Sequence, residues 1–259
     1  MYKCALAYFV NWVLLFLLLD LGQVEVDGSN EASQMDGSIL TTTAIQLDLA
    51  DNSIRRDLSA AVFHIGDISY ARGYAALWEQ FFYQIGNTSS IVPWMTTDGN
   101  HERDFPNSGS LFTGHDSGGE CGVPYEKRFS MPTKAQDDTW YSLNYGPVHF
   151  LVISTEHAFD VTSKQYSFIQ SDLASVNRSQ TPFVVLTGHR PMYIDSTDQT
   201  PSGGDQPTAQ MLRDVLEPLM QKYQVDVAFW GHHHSYVRHM HTHIYGYILT
   251  GASCMIALF

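Results

Sequence analysis

The sequence predicts an α/β protein built on a mostly parallel sheet. Short apolar runs alternate with segments whose apolar residues recur at helical spacing, as in successive βαβ units. At least four of the apolar runs end in glycine followed by aspartate, asparagine or histidine, which would place polar side chains at one edge of a sheet. The chain has 259 residues, 44% of them hydrophobic, and this is enough to bury the core of one such domain.

The first 19 residues are strongly apolar, and two interpretations of them stay open. A run of about 15 apolar residues after Lys3 is typical of a secretory signal peptide or a membrane anchor. Alternatively, Val13–Leu19 is the first core strand and delivers Asp20 to the sheet edge. Two glycosylation sequons, at Asn87 and Asn177, favour a secretory route. We therefore expect a secreted glycoprotein, with membrane-anchored and vacuolar locations as the alternatives.

The stretch Val62–Tyr74 is the clearest single pattern in the chain. A short apolar run breaks at Gly66 and is followed at once by a carboxylate, Asp67, and three residues later by Tyr70. A buried strand that ends in Gly-Asp delivers an acid to the C-terminal edge of a sheet. Both side chains could then converge on one ion from the same loop.

Three further strand ends repeat this pattern, and helices are predicted between them. The strand that begins at Ile91 ends in Gly99-Asn100-His101-Glu102, the strand Phe183–Leu186 ends at Gly188-His189, and the strand Val225–Trp230 ends at Gly231-His232-His233-His234. The predicted helices are Thr41–Leu58, Leu77–Ile85, Gln165–Val176 and Ala209–Tyr223, and Trp140–Ser154 predicts two strands broken at Gly146-Pro147. Residues 103–140 are predicted to be a long irregular segment at a substrate entrance.

Composition narrows the class of partner. The formal charge is −13, with 14 Lys and Arg against 27 Asp and Glu, so neither nucleic acid nor an anionic membrane surface is expected as the main partner. An acidic protein that handles an anionic substrate needs local positive charge, which bound metal would supply. The three cysteines are too few and too scattered for a disulfide scaffold or a cysteine-type zinc site.

The strand-end side chains have oxygen and nitrogen donors of the types that suit a pair of first-row metals. Two metals about 3.5–4 Å apart form the usual clamp for hydrolysis of phosphate esters, and Asp67 is placed to bridge them. His232 and His234 are two residues apart, so on an extended segment they point to the same side and can serve one metal each. The predicted ligands are Asp20, Asp67, Tyr70, Asn100, His189, His232 and His234.

At these residues the sequence resembles the purple acid phosphatases of the metallophosphoesterase superfamily. The matching motifs are GDISY at 66–70, GNHE at 99–102, the histidine in VVLTGHRPMY at 184–193, and GHHH at 231–234. The resemblance implies a calcineurin-like phosphoesterase domain at about 20–238, folded as a four-layer α/β/β/α sandwich of mixed sheets with metal ligands on loops at the ends of strands. It leaves residues 239–259 as an incomplete C-terminal tail.

The resemblance also implies the roles of the site residues. An Fe(III) site would use Asp20, Asp67, Tyr70 and His234, and a divalent zinc, manganese or iron site would use Asp67, Asn100, His189 and His232. Tyr70 is the discriminating ligand, because tyrosinate bound to ferric iron gives the family its colour. Asp67 and His101 are the predicted catalytic residues: His101 would protonate the leaving alkoxide while a metal-activated hydroxide attacks phosphorus.

The implied activity is that of an acid phosphatase on small phosphate monoesters. Two alternatives stay open: a phosphodiesterase or nucleotide pyrophosphatase that uses the same site, and a catalytically impaired fragment truncated at both ends, in which Leu19 replaces the family's glycine before Asp20. Residues 194–207 contain no histidine where plant members often carry a pair, so Arg190 or a loop residue is expected to contact substrate instead. The resemblance also implies that two copies of the chain can pair into a homodimer.

Overall fold

The computed structural model describes residues 16–19, 61–90, 92–234, 237–240 and 255–258. The predicted helix Thr41–Leu58 and the predicted ligand Asp20 lie outside these residues. Within the described ranges the chain forms nine strands in two sheets and five helices, so the predicted α/β class is confirmed. None of the helices in these ranges is long and apolar enough to cross a membrane.

A three-stranded parallel sheet forms the first half of the described fold. Its strands are β1 (Phe16–Leu19), β2 (Ala61–Ile65) and β3 (Trp94–Thr97), in the order β1-β2-β3. β1 lies in the apolar segment with two predicted interpretations, and it pairs with β2 so that Leu19 is opposite His64. β3 begins at Trp94, directly after Pro93, which has no N–H to donate to a neighbouring strand.

A six-stranded mixed sheet forms the second half, in the order β4-β5-β6-β7-β9-β8. The predicted pair of strands around Gly146-Pro147 is an antiparallel hairpin, and β5, β6 and β7 run parallel to one another. β9 is antiparallel to β7 and parallel to β8. The strands are β4 (Tyr141–Tyr145), β5 (Val148–Val152), β6 (Phe183–Gly188), β7 (Val227–Trp230), β8 (Val237–Met240) and β9 (Met255–Leu258).

Five helices connect and cover the sheets: α1 (Ala75–Ser89), α2 (Asn100–Arg103), α3 (Val123–Arg128), α4 (Lys164–Ser175) and α5 (Asp205–Lys222). α4 begins after Ser163, whose side chain accepts the Tyr166 amide at 3.0 Å as an N-cap. α5 begins four residues before the predicted start at Ala209, because Pro207 is tolerated in a first turn whose N–H groups have no partner within the helix. α3 lies inside the segment predicted to be irregular.

The two sheets pack face to face between two helical layers. Alternate residues of β2 and β5 form the apolar layer between the sheets, where the rings of Phe63 and Phe150 stack at 4.2 Å. The opposite face of β2, which includes Val62, packs against α1 through Trp78. The opposite face of β5 and β6, which includes Leu186, packs against α4 and α5. This order of layers is the predicted α/β/β/α sandwich.

Candidate metal centre

Four loops that follow strands meet at one edge of the two sheets. Asp67 follows β2, Asn100 follows β3, His189 follows β6 and His232 follows β7. Parallel strands carry their carboxyl ends to the same edge, and the facing sheets bring two such edges together. The structure therefore brings these four of the seven predicted ligands into one cluster.

The polar atoms of these four side chains lie within hydrogen-bonding distance of one another. Nε2 of His189 is 3.2 Å from Oδ1 of Asp67 and 2.9 Å from Oδ1 of Asn100. Nδ1 of His232 is 2.9 Å from the same Asn100 oxygen and 3.3 Å from Nε2 of His189. One donor atom each from Asp67, His189 and His232 fits within 4.8 Å, a spacing at which all three can reach one ion.

The chemistry of this donor set fits a cation. Nδ1 of His189 lies 2.8 Å from the carbonyl oxygen of Ile65, which can only accept, so the ring proton is on Nδ1 and Nε2 presents a lone pair. That lone pair faces two oxygens, the carboxylate of Asp67 and the amide oxygen of Asn100. Acceptors that face one another without an intervening proton repel, and a bound cation removes the repulsion. Imidazole, carboxylate and amide oxygen are suitable ligands for first-row metals.

Three of the predicted ligands adopt a backbone conformation that residues other than glycine rarely adopt. The φ angles are positive at Asp67 (51°), Tyr70 (50°) and His232 (70°). A non-glycine residue in the left-handed region costs free energy and persists only where its surroundings hold it there. These loops are shaped to aim the side chains.

Two glycines allow the loops to approach closely. A Cβ on Gly66, which has a φ of +90°, would lie 2.4 Å from Nδ1 of His189. A Cβ on Gly99 would lie 2.4 Å from Oδ1 of Asp67. The glycine in each of these two strand-end motifs is therefore needed for space at the site.

Tyr70 and His234 lie on the other side of Asp67. The phenol oxygen of Tyr70 is 3.3 Å from Oδ2 of Asp67 and 3.2 Å from Nε2 of His234. Tyr70 is buried, whereas His234 is exposed. Oδ1 of Asp67 thus faces His189, and Oδ2 of Asp67 faces Tyr70. Asp20, the remaining predicted member of this group, lies outside the described residues.

His101 is held beside the donor groups by its backbone. Its amide donates to Oδ1 of Asp67 at 3.1 Å, and its ring lies against that of Tyr70 with a centroid distance of 4.3 Å. Its Nδ1 is buried and, within the described part of the chain, has no hydrogen-bond partner. The His101 ring therefore lies next to the cluster of predicted ligands and is not part of it.

Glu102 is a site residue to which the sequence reasoning gave no role. Its Oε2 accepts the amides of Asp67 at 2.7 Å and Gly99 at 3.0 Å, and its Oε1 accepts the amide of Ile68 at 2.7 Å. One buried carboxyl group therefore ties the loop after β2 to the loop after β3. Glu102 comes three residues after Gly99, at the start of α2, which is the spacing of a capping box. This spacing was the sequence signal from which a role for Glu102 could have been predicted.

Two more carboxylates orient predicted ligands, and the sequence reasoning missed both. Oδ2 of Asp116 accepts from Nδ2 of Asn100 at 3.1 Å, which turns Oδ1 of Asn100 toward the histidines. Oδ1 of Asp205 lies 3.2 Å from Nε2 of His232. Asp116 belongs to the long segment 103–140, so this segment supports the site directly.

Charge at the centre is set by these contacts. Burial alone would raise the pKa of Asp67, but the imidazoles of His189 and His101 hold it well below its usual range. Burial and the Asp67 charge raise the pKa of Glu102 to about 8. Burial lowers the pKa of His232, which favours a neutral ring with one free lone pair. An ionised Asp67 and a neutral His232 are in the protonation states that metal binding requires.

Of the expected alternatives near residues 194–207, a substrate contact by Arg190 is wrong, and the expectation of a loop residue or of a different set of contacts stays open. Arg190 is only 3% exposed and lies over the ring of Phe112 at 4.2 Å. Its Nε and Nη2 donate to Glu156 at 2.8 and 3.2 Å, and its Nη1 donates to the carbonyl of Gly203 at 3.0 Å. A guanidinium with these partners anchors the loop 194–207 and is not presented to a ligand.

Comparison with known proteins agrees with this geometry. The sequence pattern of the family described as calcineurin-like phosphoesterase matches residues 47–236. The chain belongs to the calcineurin-like phosphoesterase family. The matched range contains all four strand-end motifs at which the site is built.

The predicted resemblance to purple acid phosphatases is also confirmed. The chain is 45% identical over 222 residues to "Probable inactive purple acid phosphatase 27" of Arabidopsis thaliana, and this covers 85% of the chain and 35% of that protein. The structure of a purple acid phosphatase from yellow lupin (Lupinus luteus) seeds matches with a TM-score of 0.69 at 32% identity, over 94% of this chain and 43% of that one. Proteins of this family are metal-dependent phosphoric-ester hydrolases.

A third relative is named for a different activity. The chain is 40% identical over 222 residues to a "Nucleotide pyrophosphatase/phosphodiesterase" of Hordeum vulgare, which covers 85% of the chain and 58% of that protein. The chain therefore spans less than two thirds of the length of each of these three proteins.

Proposed function

We propose that this chain is the catalytic part of a metal-dependent acid phosphatase that hydrolyses small phosphate monoesters at a dinuclear Fe(III)–M(II) centre. The observation that carries the proposal is the meeting of Asp67, Asn100, His189 and His232 through oxygen and nitrogen atoms that can bind a metal. Tyr70 and His234 beside the second oxygen of Asp67 support a second ion. Membership of a phosphoric-ester hydrolase family supports the reaction class.

Each ion would have its own set of ligands. Asp67, Tyr70 and His234 would hold Fe(III), together with Asp20. Asp67, Asn100, His189 and His232 would hold zinc, manganese or divalent iron. When bound, the two ions would neutralise the phosphate charge, lower the pKa of a water molecule and stabilise the leaving oxygen.

The protein's own side chains would hold the ligands in place and supply the proton for the leaving group. Asp116 and Glu102 fix Asn100 and the backbone of Asp67, so the ligands need not reorganise during turnover. His101, held by its amide against Asp67, would give a proton to the leaving alkoxide. Tyr70 packs against the His101 ring and restricts where that proton can be delivered.

The second candidate function is hydrolysis of phosphodiesters or nucleotide pyrophosphates at the same centre. The similarity to the barley protein named for that activity favours it. The two functions share every donor described above and differ in the shape of the pocket around the departing group. Rates on a phosphate monoester and a phosphate diester, measured on one preparation, distinguish them.

The deciding experiment combines metal analysis, a visible absorption spectrum and both rate assays on the purified full chain. We expect two metals per chain and a broad visible band from tyrosinate bound to ferric iron, which Tyr70→Phe should remove. Asp67→Ala and His232→Ala should lose metal and turnover together, whereas His101→Ala should keep the metal and lose turnover. His233→Ala, which changes a neighbouring histidine outside the predicted ligand set, is the matched control for metal content.

Two results would overturn the proposal. Full turnover by a metal-verified Asp67→Ala protein would show that the donor cluster is not the catalytic centre. A colourless wild-type chain with less than one iron per chain and no turnover on either ester would identify a catalytically impaired protein, and the Arabidopsis relative is itself named as a probable inactive phosphatase.

We also propose that the chain follows the secretory route and carries glycans. The side chains of Asn87 and Asn177 are exposed, and Oδ1 of Asn177 accepts from the hydroxyl of Ser179 at 2.7 Å, within the same sequon. Expression in eukaryotic cells should give a protein whose gel mobility increases after glycosidase treatment. Asn177→Gln should remove one step of that shift, and a wild-type protein unaffected by glycosidase would refute the proposal.

A further inference from the structure

The first turn of α5 lies against the loop that carries His232. Oδ1 of Asp205 is 3.2 Å from Nε2 of His232, and the two side chains are only 16% and 18% exposed. The opposite ring nitrogen, Nδ1, points into the donor cluster, 2.9 Å from Oδ1 of Asn100 and 3.3 Å from Nε2 of His189. The ring therefore connects a carboxylate outside the cluster to the acceptors inside it.

The position of the single proton on a neutral His232 ring follows from these contacts. A carboxylate is a stronger hydrogen-bond acceptor than an amide oxygen, so Asp205 competes better for the N–H than Asn100 does. Because Oδ1 of Asp205 can only accept, a lone pair on Nε2 would face it unfavourably. The proton therefore belongs on Nε2, and Nδ1 keeps its lone pair toward the cluster.

We propose that Asp205 is a positioning residue for the metal centre, which holds the N–H of His232 on Nε2 and so presents the Nδ1 lone pair as a ligand. The inference rests on the proposed function in one respect: the ion that this lone pair would bind is the ion of the proposed centre. A partner on the second ring nitrogen commonly fixes the tautomer of a ligating histidine and raises its basicity. The partner of the second ring nitrogen is a backbone carbonyl for His189, whereas for His232 it is the negatively charged carboxylate of Asp205.

The loop around Asp205 is built to keep its carboxylate in place. Gly204 caps α5, and a Cβ there would lie 2.5 Å from the carbonyl oxygen of Thr200, so the chain turns tightly just before Asp205. The side-chain amide of Gln206 donates to the carbonyls of Ile194 at 3.1 Å and Ser196 at 2.6 Å. Ser196 also hydrogen-bonds the Asp205 carboxylate. These contacts close the loop 194–207 on itself.

A simpler explanation of Asp205 is that an acid in the first turn of a helix is stabilised by the helix dipole. That explanation requires no particular direction of the carboxylate and predicts no effect on zinc. A second pair across the same two loops gives the matched control, since Nδ1 of His233 lies 3.4 Å from Oδ1 of Asp195. His233 is not a predicted ligand, so removal of Asp195 loses a histidine–aspartate pair without touching the centre.

The first test measures the affinity of the full chain for Zn²⁺ by competition with a chelator. Asp205→Ala should weaken zinc binding by about 10–100-fold, which is the usual effect of removing such a partner. The zinc affinity of Asp205→Asn should lie between those of Asp205→Ala and the wild type, because this variant keeps an oxygen and loses the charge. Asp195→Ala should bind zinc as the wild type does. Unchanged affinity in Asp205→Ala, or an equal loss in Asp195→Ala, would overturn the proposal.

The second test reads the tautomer without any metal. In the ¹⁵N-labelled, metal-free full chain at about pH 8, above the pKa of an ordinary imidazole, His232 should show a protonated Nε2 and an unprotonated Nδ1. His232→Gln identifies its signals, and Asp205→Asn, which preserves the shape of the side chain, should shift both nitrogens toward averaged values. A wild-type ring protonated on Nδ1 refutes the role of Asp205. A wild-type chain that binds none of Zn²⁺, Mn²⁺ and Fe²⁺ refutes the proposed function, while this spectrum still decides the role of Asp205.

Discussion

Glu102→Ala should destabilise the fold at the site more than any other single change in the strand-end motifs. The variant removes the acceptor of three buried amides, those of Asp67, Ile68 and Gly99, at 2.7, 2.7 and 3.0 Å. At a net value of about 1–1.5 kcal/mol per hydrogen bond, the loss amounts to about 3–4.5 kcal/mol of unfolding free energy. The cavity left by a side chain that is 1% exposed adds to this loss.

Urea unfolding of the metal-free protein measures this change directly. Glu79→Ala is the control, because the Glu79 side chain is 70% exposed and forms only a surface ion pair with Arg128, of a kind worth about 0–1 kcal/mol. Below the raised pKa of about 8, Glu102 is neutral, so Glu102→Gln should cost less than Glu102→Ala there. A loss below about 1 kcal/mol for Glu102→Ala would refute the structural role assigned to these three bonds.

Three other predictions concern pH, close approach and the core. Burial and the nearby Glu156 charge raise the pKa of Asp104 from 3.8 to about 6, so the folded state binds this proton more tightly than the unfolded state and stability falls as pH rises through that window. Asp104→Asn should flatten that part of the urea stability profile, and an unchanged profile would contradict the assignment. Gly99→Ala should displace Oδ1 of Asp67 and weaken zinc binding by at least about 10-fold with an unchanged circular dichroism spectrum, whereas wild-type affinity would show that the loop can absorb a methyl group. Leu186→Ala, at a fully buried position between β6 and the helices, should lower the unfolding free energy by about 2–5 kcal/mol, and a loss under about 1 kcal/mol would argue against the described packing.

The parts of the site that sequence reasoning could predict are those with a local signal. A short apolar run, a glycine and a polar residue together predict a strand end and its side chain, and this pattern alone predicts Asp67, Asn100, His189 and His232 at one edge of the fold. The structure adds why glycine must come before Asp67 and Asn100, since a Cβ at either position would collide across the loops. Close approach of this kind depends on the partner loop and has no signature in the sequence.

The carboxylates that orient the ligands could not be predicted in the same way. Asp116 lies in a polar loop rich in glycine and Asp205 directly follows another, at the start of α5, so neither aspartate differs in sequence from its polar neighbours. Each contacts a side chain in a different element, Asn100 or His232. Arg190 led to the opposite error. The absence of histidine from residues 194–207 suggested Arg190 or a loop residue as a substrate contact, but Glu156 was not recognised as the buried partner of Arg190, because nothing in the sequence pairs the end of β5 with the end of β6.

His189 has a consequence for how the whole domain responds to ions. It follows a strand of the six-stranded sheet, yet its Nδ1 bonds to the carbonyl of Ile65 in the three-stranded sheet, and its Nε2 contacts Asp67 and Asn100 of that sheet's loops. The imidazole therefore joins the two halves of the fold, and an ion bound there would hold them together. An ion that binds only the folded chain, at 100 times its dissociation constant, adds about 2.7 kcal/mol to the unfolding free energy. A thermal-denaturation series over candidate ions would therefore rank them by affinity without any substrate, and amide exchange should slow first where β2 and β6 end.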